Sequence, residues 1–219
     1  MSDRNNTDEK KARTRARKLY GLMPGTCITM DDESYVLADF QQLPGRSFYH
    51  SMNRFSVKKK FSYKKMKKFP KKFLVWQALC TCGKESQSFI TRGTMDTEIY
   101  LKCLEKHLLP FLKDHEALFW PDLASFHYSN KSLEWYEANN VNIVPREANP
   151  ANCPELRPIE KYWAIVKRKL RKSQKVGKTT KSFKKMWDKA SESVTESVVQ
   201  KLMSDLKTKV GKFAKQGII

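Results

Sequence analysis

The feature that most constrains the fold is a largely apolar run, FLVWQALC, at residues 73–80. Its length and its aromatic and branched side chains are typical of a strand buried inside a sheet. Residues 86–91 follow across a turn and are predicted to pair with it. Upstream, residues 26–30 and 34–40 are predicted to form a hairpin around three consecutive acids. The sequence therefore predicts a sheet whose faces are covered by other parts of the chain.

The rest of the chain alternates between strand and helix patterns. Short strands are predicted near Phe48 and Tyr49, at residues 117–120 and at residues 141–144. A long helix is predicted from a cap at Asp96 to about Lys113, and others begin after Ser129 and at Pro158; the tail repeats a helical apolar pattern. This order predicts an α/β fold, a mixed sheet with helices packed on its faces.

The net charge of +20 is concentrated in two places. Residues 54–72 contain ten Lys or Arg and residues 161–185 contain eleven, with no acid in either segment; the remaining 22 basic residues nearly balance 23 acids. Such clusters favour a polyanionic partner, because each neutralised phosphate releases counterions. Aromatic residues between the lysines of the first segment suit a nucleic-acid groove. The alternatives are two solvated faces, and rings that pack underneath the loop.

The sequence shows no signal-peptide pattern and no apolar stretch long enough for a membrane span, so we expect a soluble intracellular protein. The five cysteines are predicted to be thiols. Cys80 and Cys82 have no second Cys or His pair at zinc spacing and are interpreted as core residues.

Three acidic residues lie at the ends of predicted strands or at the start of a predicted helix. The predicted fold brings these positions to one edge of the sheet. Asp32 lies at the end of the first strand, Asp122 follows the strand at residues 117–120, and Glu160 lies in the first turn of a helix. Converging carboxylates repel one another unless divalent cations neutralise them. Two Mg²⁺ ions roughly 3.5–4 Å apart would support an in-line phosphoryl transfer. Each acid also has a structural interpretation, as a turn residue, a cap or a first-turn acid.

The sequence around these acids resembles the catalytic domain of the Tc/mariner transposases. The similar segments are MDDES at residues 30–34, FWPD at residues 119–122 followed by His127, and NCPELRPIE at residues 152–160 followed by Tyr162 and Trp163. The resemblance covers about residues 25–172, and its third segment is the most specific. The 37 residues between Asp122 and Glu160 are a spacing found in this superfamily.

The resemblance implies Asp32, Asp122 and Glu160 as catalytic, metal-binding residues, with Mg²⁺ or Mn²⁺ as cofactor and no small-molecule cofactor. It also implies a ribonuclease H-like fold, with a mixed five-stranded sheet flanked by helices and additional C-terminal helices. Strand alternation alone does not choose between Asp31 and Asp32; the match does. His127 matches the family's histidine and is a candidate for lining the site, although a single histidine is more often structural.

The chain departs from the family pattern in three respects. Leu123 and Arg157 replace two asparagines typical of the family. Only about 25 residues precede the first strand, too few for the usual two helix-turn-helix modules. We therefore expect a fragment, a truncated copy or a cellular derivative. The predicted organisation is a polar arm or linker remnant at residues 1–24, frayed apart from a short helical pattern; a catalytic domain at 25–172 containing a basic insertion at 54–72; and a helical tail at 173–219.

The implied activity is DNA cleavage followed by strand transfer, in which an activated water cuts the element end and the freed 3′-hydroxyl attacks target DNA. Double-stranded DNA is the predicted partner, a homodimer is a candidate assembly, and the nucleus is the expected location. The alternatives are a non-catalytic DNA-binding protein derived from a transposase and a nuclease acting on RNA or hybrids. The predicted nucleic-acid-binding residues are Lys58, Lys59, Lys60, Lys64, Lys65, Lys67, Lys68, Lys167, Arg168, Lys169, Arg171 and Lys172.

Overall fold

A computed structural model describes residues 6–43, 50–58, 68–113 and 116–217. Its centre is a four-stranded sheet in the order β3-β2-β1-β4. The strands are β1 (Cys27–Leu37), β2 (Lys72–Cys80), β3 (Phe89–Thr91) and β4 (Ala117–Trp120). Strand β1 pairs antiparallel with β2 and parallel with β4, so the sheet is mixed as predicted. The apolar run becomes β2, which is buried from Phe73 onwards.

Helices precede, interrupt and follow the sheet. They are α1 (Asn6–Leu22), α2 (Thr97–Cys103), α3 (Leu109–Leu112), α4 (Asn130–Ala138), α5 (Ile159–Ser173), α6 (Thr180–Glu192), α7 (Glu196–Met203) and α8 (Leu206–Gln216). The predicted caps are present: Asp96 accepts a hydrogen bond at the start of α2, and Ser129 does so for α4. One π-helical turn, Leu104–Leu108, joins α2 to α3.

The predicted hairpin around the three acids is wrong. Strand β1 is continuous through Asp31, Asp32 and Glu33, which pair with Ala78, Gln77 and Trp76 of β2. Acid-rich sequences favour turns, because Asp side chains compete for backbone hydrogen bonds. Here the hydrogen bonds between β1 and β2 satisfy the backbone N–H and C=O groups, and residues of other elements contact the carboxylates. Local turn preference is therefore overridden.

The predicted fifth strand is also wrong within the described residues. At residues 141–144, only one parallel bridge forms, between Ile143 and Phe119. Two backbone hydrogen bonds hold it, one of them from Val144 to Phe119. Pro145 follows at once and has no N–H group to extend the ladder, while Pro121 ends β4 on the other side. The predicted strand near Phe48 and Tyr49 lies outside the described residues.

Each face of the sheet is covered by its own aromatic core. On one face, α5 and α6 bring Trp163, Trp187 and Phe183 against β2, and the Phe183 ring stacks on Phe73 with centroids 4.4 Å apart. On the other face, α2 and α4 pack their buried side chains against Trp76. The cover on both faces explains why β2 is apolar from Phe73 to Cys80 apart from Gln77.

The N-terminal residues are not the frayed arm expected from their polarity. Residues 6–22 form α1, whose pattern of Ala12, Ala16 and Leu19 is a fully buried face that packs on α8. The C-terminal segment forms helices as predicted. The limits proposed for the arm, the catalytic domain and the tail stay predictions. None of the described helices is long and apolar enough to cross a membrane.

The contact between α1 and the core can be tested with two leucines of the same helix. Leu19 is fully buried, whereas Leu22 is 41% exposed. We expect Leu19→Ala to lower the free energy of unfolding by about 3 kcal/mol, because it removes buried methyl groups and leaves a cavity. Leu22→Ala should change it by no more than about 0.5 kcal/mol. Urea unfolding followed by tryptophan fluorescence measures both; equal effects would mean that α1 does not pack on the core.

Candidate active site

Asp32 lies in the middle of β1 and faces α5. The indole Nε1 of Trp163 donates a hydrogen bond of 2.9 Å to Asp32 Oδ2. The pKa of Asp32 is raised to about 6, because burial and the nearby charges of Glu160 and Asp122 outweigh the lowering effects of Arg157 and the Trp163 hydrogen bond. Asp32 is therefore a partly buried carboxylate held by an uncharged donor.

Asp122 is brought beside β1 by the parallel pairing of β1 with β4. Pro121 ends β4, and Asp122 accepts a hydrogen bond of 2.7 Å from the backbone N–H of Ala124. Its Oδ1 also lies 3.1 Å from Nε2 of His127. Burial alone would raise the pKa of Asp122, but His127 and the Ala124 hydrogen bond lower it to about 2. Asp122 is therefore ionised at neutral pH.

Glu33 is a third member of the cluster that the sequence interpretation did not select. Carboxylate oxygens of Asp32, Glu33 and Asp122 all lie within 4.8 Å of one another. Glu33 Oε1 is buried and makes no hydrogen bond with the described residues. The only signal for this role in the sequence is the position of Glu33 in the acidic run, which was predicted to be the tip of a hairpin.

Glu160 is close to this group without belonging to it. It is exposed in the first turn of α5, and its charge raises the pKa of Asp32. No oxygen of Glu160 joins the 4.8 Å cluster formed by the described acids. The structure therefore brings Asp32 and Asp122 together and places Glu160 at their edge.

Asp31 points to the opposite face of the sheet from Asp32. It is fully buried, and its Oδ2 accepts hydrogen bonds from Trp76 Nε1 at 2.8 Å and from the Tyr100 hydroxyl at 3.1 Å. His127 Nδ1 lies 3.0 Å from the same hydroxyl. Asp31 is thus enclosed in a buried polar network.

His127 connects the two faces. It is completely buried, and its Nε2 lies between Asp122 Oδ1 and Glu33 Oε1, at 3.1 and 3.6 Å. Burial alone would lower the pKa of His127, but Asp31, Asp122 and Glu33 raise it to about 10. The imidazole is therefore a buried cation at neutral pH, and its positive charge stabilises the ionised carboxylates beside it.

Arg157 is a second internal cation. Its guanidinium donates hydrogen bonds to the backbone carbonyls of Trp120 and Pro121, each at 3.2 Å, and to that of Asp31. It therefore ties the end of β4 to the middle of β1, the two strands that carry Asp122 and Asp32. The charge of Arg157 also lowers the pKa of both carboxyls. Arg157, which replaces an asparagine typical of the family, thus connects two strands of the sheet.

The predicted nucleic-acid-binding residues have different surroundings. Lys58, Lys68, Arg168 and Lys172 are exposed, whereas Lys59, Lys60, Lys64, Lys65 and Lys67 lie outside the described residues. On α5, Lys167 Nζ donates to Ser34 Oγ at 2.6 Å, and Lys169 Nζ donates to the Ser193 carbonyl at 2.8 Å; Arg171 is half-buried. Phe55 and Phe69 are almost fully exposed, so these two rings do not pack beneath the loop.

The donor set suits a hard divalent cation. Asp32, Glu33 and Asp122 offer only oxygen, the ligand type preferred by Mg²⁺ and Mn²⁺. The buried Glu33 oxygen without a hydrogen bond is an acceptor that a cation would satisfy. Glu160 lies close enough to influence Asp32 and is available at the open side.

The buried charge of His127 predicts a pH dependence of folding in the metal-free protein. Because its pKa rises from 6.5 to about 10 on folding, its stabilisation is complete below pH 6.5 and is lost as the pH rises through 10. The carboxyls of Asp31 and Asp32, with pKa values of about 6, have finished titrating by about pH 7. We expect the free energy of unfolding to fall between pH 7 and 9 by at most about 1.4 kcal/mol per pH unit.

Urea unfolding in the presence of a chelator measures this slope. His127→Gln should flatten it, whereas His50→Gln, a change at an exposed histidine, should retain it. A wild-type curve that is flat from pH 7 to 9 would show that His127 is not a buried cation.

Comparison with known proteins identifies the family. Residues 59–183, more than half of the chain, match the model of the DDE superfamily endonucleases. The Tc3 transposase of Caenorhabditis elegans is 25% identical over 140 residues, which are 63% of this chain and 41% of that protein. The Tcb1 transposase of Caenorhabditis briggsae is 27% identical over 117 residues, 52% of this chain and 41% of that protein. The chain thus spans about two fifths of the length of these relatives.

Solved structures show the same fold. The Mos1 transposase paired-end complex with the left transposon end superposes with a TM-score of 0.78 at 15% identity, over 98% of this chain and 63% of that one. The catalytic domain of Mos1 mariner transposase gives 0.67 at 14% identity, over 99% and 96% of the two chains. The ribonuclease H-like fold class is confirmed, with four strands described instead of five. The protein belongs to the DDE superfamily endonucleases, and it is similar in sequence and fold to Tc/mariner transposases.

Proposed function

We propose that this domain performs metal-dependent cleavage and strand transfer of double-stranded DNA. The observation that carries the proposal is the convergence of carboxylates from Asp32, Glu33 and Asp122 within 4.8 Å, beside the helix that carries Glu160. Asp32, Asp122 and Glu160 are the proposed catalytic acids. Glu33 is added to them as a further candidate ligand.

The proposed cofactor is Mg²⁺ or Mn²⁺, held by Asp32 and Asp122 with Glu160 at the open side. Solved paired-end complexes of Mos1 with Mg and with Mn support this choice. When bound, the ions supply Lewis-acid stabilisation of an in-line phosphoryl transfer. No small organic cofactor enters the proposal.

The chain's own residues position the acids for that chemistry. Trp163 holds one oxygen of Asp32, while His127 and the Ala124 N–H group hold Asp122. Arg157 keeps the two strands that carry these acids at a constant separation. Such positioning matters because a displacement of about 1 Å at the reacting groups can lower the rate by about a hundredfold.

DNA is the proposed substrate because basic residues flank the acids. Lys167 donates a hydrogen bond to Ser34 and is close enough to Asp32 and Glu160 for both charges to act on it, so a cationic side chain lies beside the acids. Arg168 and Lys172 extend this charge along the exposed side of α5. The solved Mos1 paired-end complexes support both DNA binding and a homodimeric assembly. A nuclear location follows from the substrate and is part of the proposal.

A non-catalytic DNA-binding role is the second candidate. Its support is that His127 and Arg157 already place positive charge beside the acids without an added cation. The same basic residues would bind DNA in either case. Isothermal titration with Mg²⁺ and Mn²⁺ separates the candidates, because a purely structural acidic cluster would show no binding.

The catalytic proposal is tested with Asp122→Asn. This change keeps the shape of the side chain and removes a negative charge that the metal requires, so we expect strand cleavage and joining of a pre-cut DNA end to be lost while non-specific DNA binding persists. The assay uses purified protein with Mg²⁺ or Mn²⁺. Glu155→Gln, a charge removal in the loop before α5, is the matched control and should leave cleavage unchanged. Cleavage retained by Asp122→Asn would falsify the assignment.

The DNA-binding proposal predicts a steep dependence on salt. With six or more phosphate contacts, the slope of log K against log salt should be about −5 or steeper. Replacing both exposed residues of α5, as Arg168→Gln with Lys172→Gln, should reduce its magnitude by about 2. Lys207→Gln with Lys212→Gln on α8 is the matched control and should leave it unchanged. Fluorescence anisotropy measures these values, and a wild-type slope near −1 would mean that the lysines are solvated faces.

A further inference from the structure

Three cysteines converge at the end of the sheet where β1 begins. The sulfur atoms of Cys27, Cys80 and Cys82 all lie within 4.8 Å of one another. None of the three is in a disulfide. The sequence alone offers Cys80 and Cys82 no further ligand at zinc spacing and therefore favours core residues. The third ligand is supplied by tertiary structure, from a residue 53 positions before Cys80.

The strand register and the turn after β2 explain why the three sulfur atoms meet. Cys80 is the last residue of β2 and lies opposite Thr29, so that these two side chains point to the same side. Cys27 lies two positions before Thr29 on β1, and side chains two positions apart in a strand point the same way. Cys82 lies in the turn that follows β2, and this turn places its sulfur beside the other two.

Hydrogen bonds link the backbone segments on both sides of the cluster. Thr81 donates its N–H group to the Ile28 carbonyl at 3.0 Å and accepts the Ile28 N–H group on Oγ1 at 3.0 Å. Gly83 closes the turn with a hydrogen bond to the Cys80 carbonyl and has a φ of 96°, a conformation that favours glycine. A Cβ atom at Gly83 would lie 2.9 Å from the Glu196 carbonyl oxygen of α7, so the turn is also packed from outside.

The chemistry of three thiols favours a soft ion over the hard ions of the acidic site. Thiolates select Zn²⁺ and Cu⁺. In a tetrahedral site with Zn–S bonds of about 2.3 Å the sulfur atoms are about 3.8 Å apart, so the cluster needs movements of only about 1 Å to close around an ion. The side chain of Thr29, opposite Cys80, is buried and interacts with the Cys80 thiol. A polar atom therefore accompanies the sulfurs.

We propose that Cys27, Cys80 and Cys82 form a second metal site, which binds one thiophilic d¹⁰ cation, Zn²⁺ in the first instance, through three thiolates. Each thiol that binds the ion releases its proton to solvent, so affinity rises with pH. Among the described residues, no fourth His, Cys, Asp or Glu joins the group, which leaves one coordination position for water or an exchangeable ligand. The bound ion would pin the start of β1 to the turn after β2.

This site is separate from the acidic one. Cys27 and Asp31 are four residues apart on β1, a distance of roughly 13 Å along a strand. The two clusters also differ in donor atom, sulfur in one and oxygen in the other. Metal binding by the three cysteines does not depend on catalysis at the acidic site. Either proposal can be wrong while the other is correct.

Cobalt(II) provides the test, because thiolate ligation gives it a near-ultraviolet charge-transfer absorption that carboxylate ligation does not. Reduced, intact protein is titrated with Co²⁺ and then with Zn²⁺. We expect the absorption to saturate at one equivalent and to disappear as Zn²⁺ displaces Co²⁺. Cys27→Ser and Cys82→Ser should each abolish it.

Two matched controls keep the result interpretable. Cys153→Ser removes a thiol outside the cluster, and Asp122→Asn alters the oxygen site; both should retain the absorption. A thiol assay verifies five reduced cysteines, and circular dichroism verifies folding of each variant. No absorption in the reduced, folded wild type would overturn the proposal, and so would absorption that persists in both cluster variants.

Discussion

The burial of Asp31, Asp32 and Glu33 within a central strand is the constraint on which the rest of the structure depends. Three consecutive carboxylates in a sheet covered on both faces are costly unless each is paired or hydrogen-bonded. The alternation of β1 sends Asp31 and Asp32 to opposite faces, so each face must supply its own partners. Trp76 and Trp163 supply them, one from the neighbouring strand and one from α5.

The positions of two cations, the buried His127 and the half-buried Arg157, follow from the same constraint. His127 lies behind the acids, and Arg157 bridges the carbonyl groups of the strands that carry them. Together they maintain a cluster of like charges at close range before any metal binds. This arrangement leaves the buried Glu33 oxygen without a hydrogen bond from the described residues, beside the carboxylates of Asp32 and Asp122.

Strong local patterns were predicted from sequence, and weak ones were not. The apolar run at residues 73–80 and the capped helices appear as predicted, because their periodicity agrees with their burial. The hairpin failed because the ladder between β1 and β2 outweighs the turn preference of the acids. The fifth strand failed because Pro145 stops it after one bridge. The N-terminal arm failed because small apolar residues in a charged segment were sufficient to bury α1 against α8.

The sequence by itself determined the α/β class, the excess of basic charge and the family. Apolar periodicity, composition and the acidic motifs are properties of short segments, so they can be recognised without knowing which segments meet in the fold. Only the tertiary structure decided which side chains meet. The parallel pairing of β1 and β4 joins Asp32 to Asp122 and adds Glu33, and the antiparallel register of β1 and β2 joins Cys27 to Cys80 and Cys82. Strand register follows from the packing of whole faces against helices, and no local stretch of sequence encodes it.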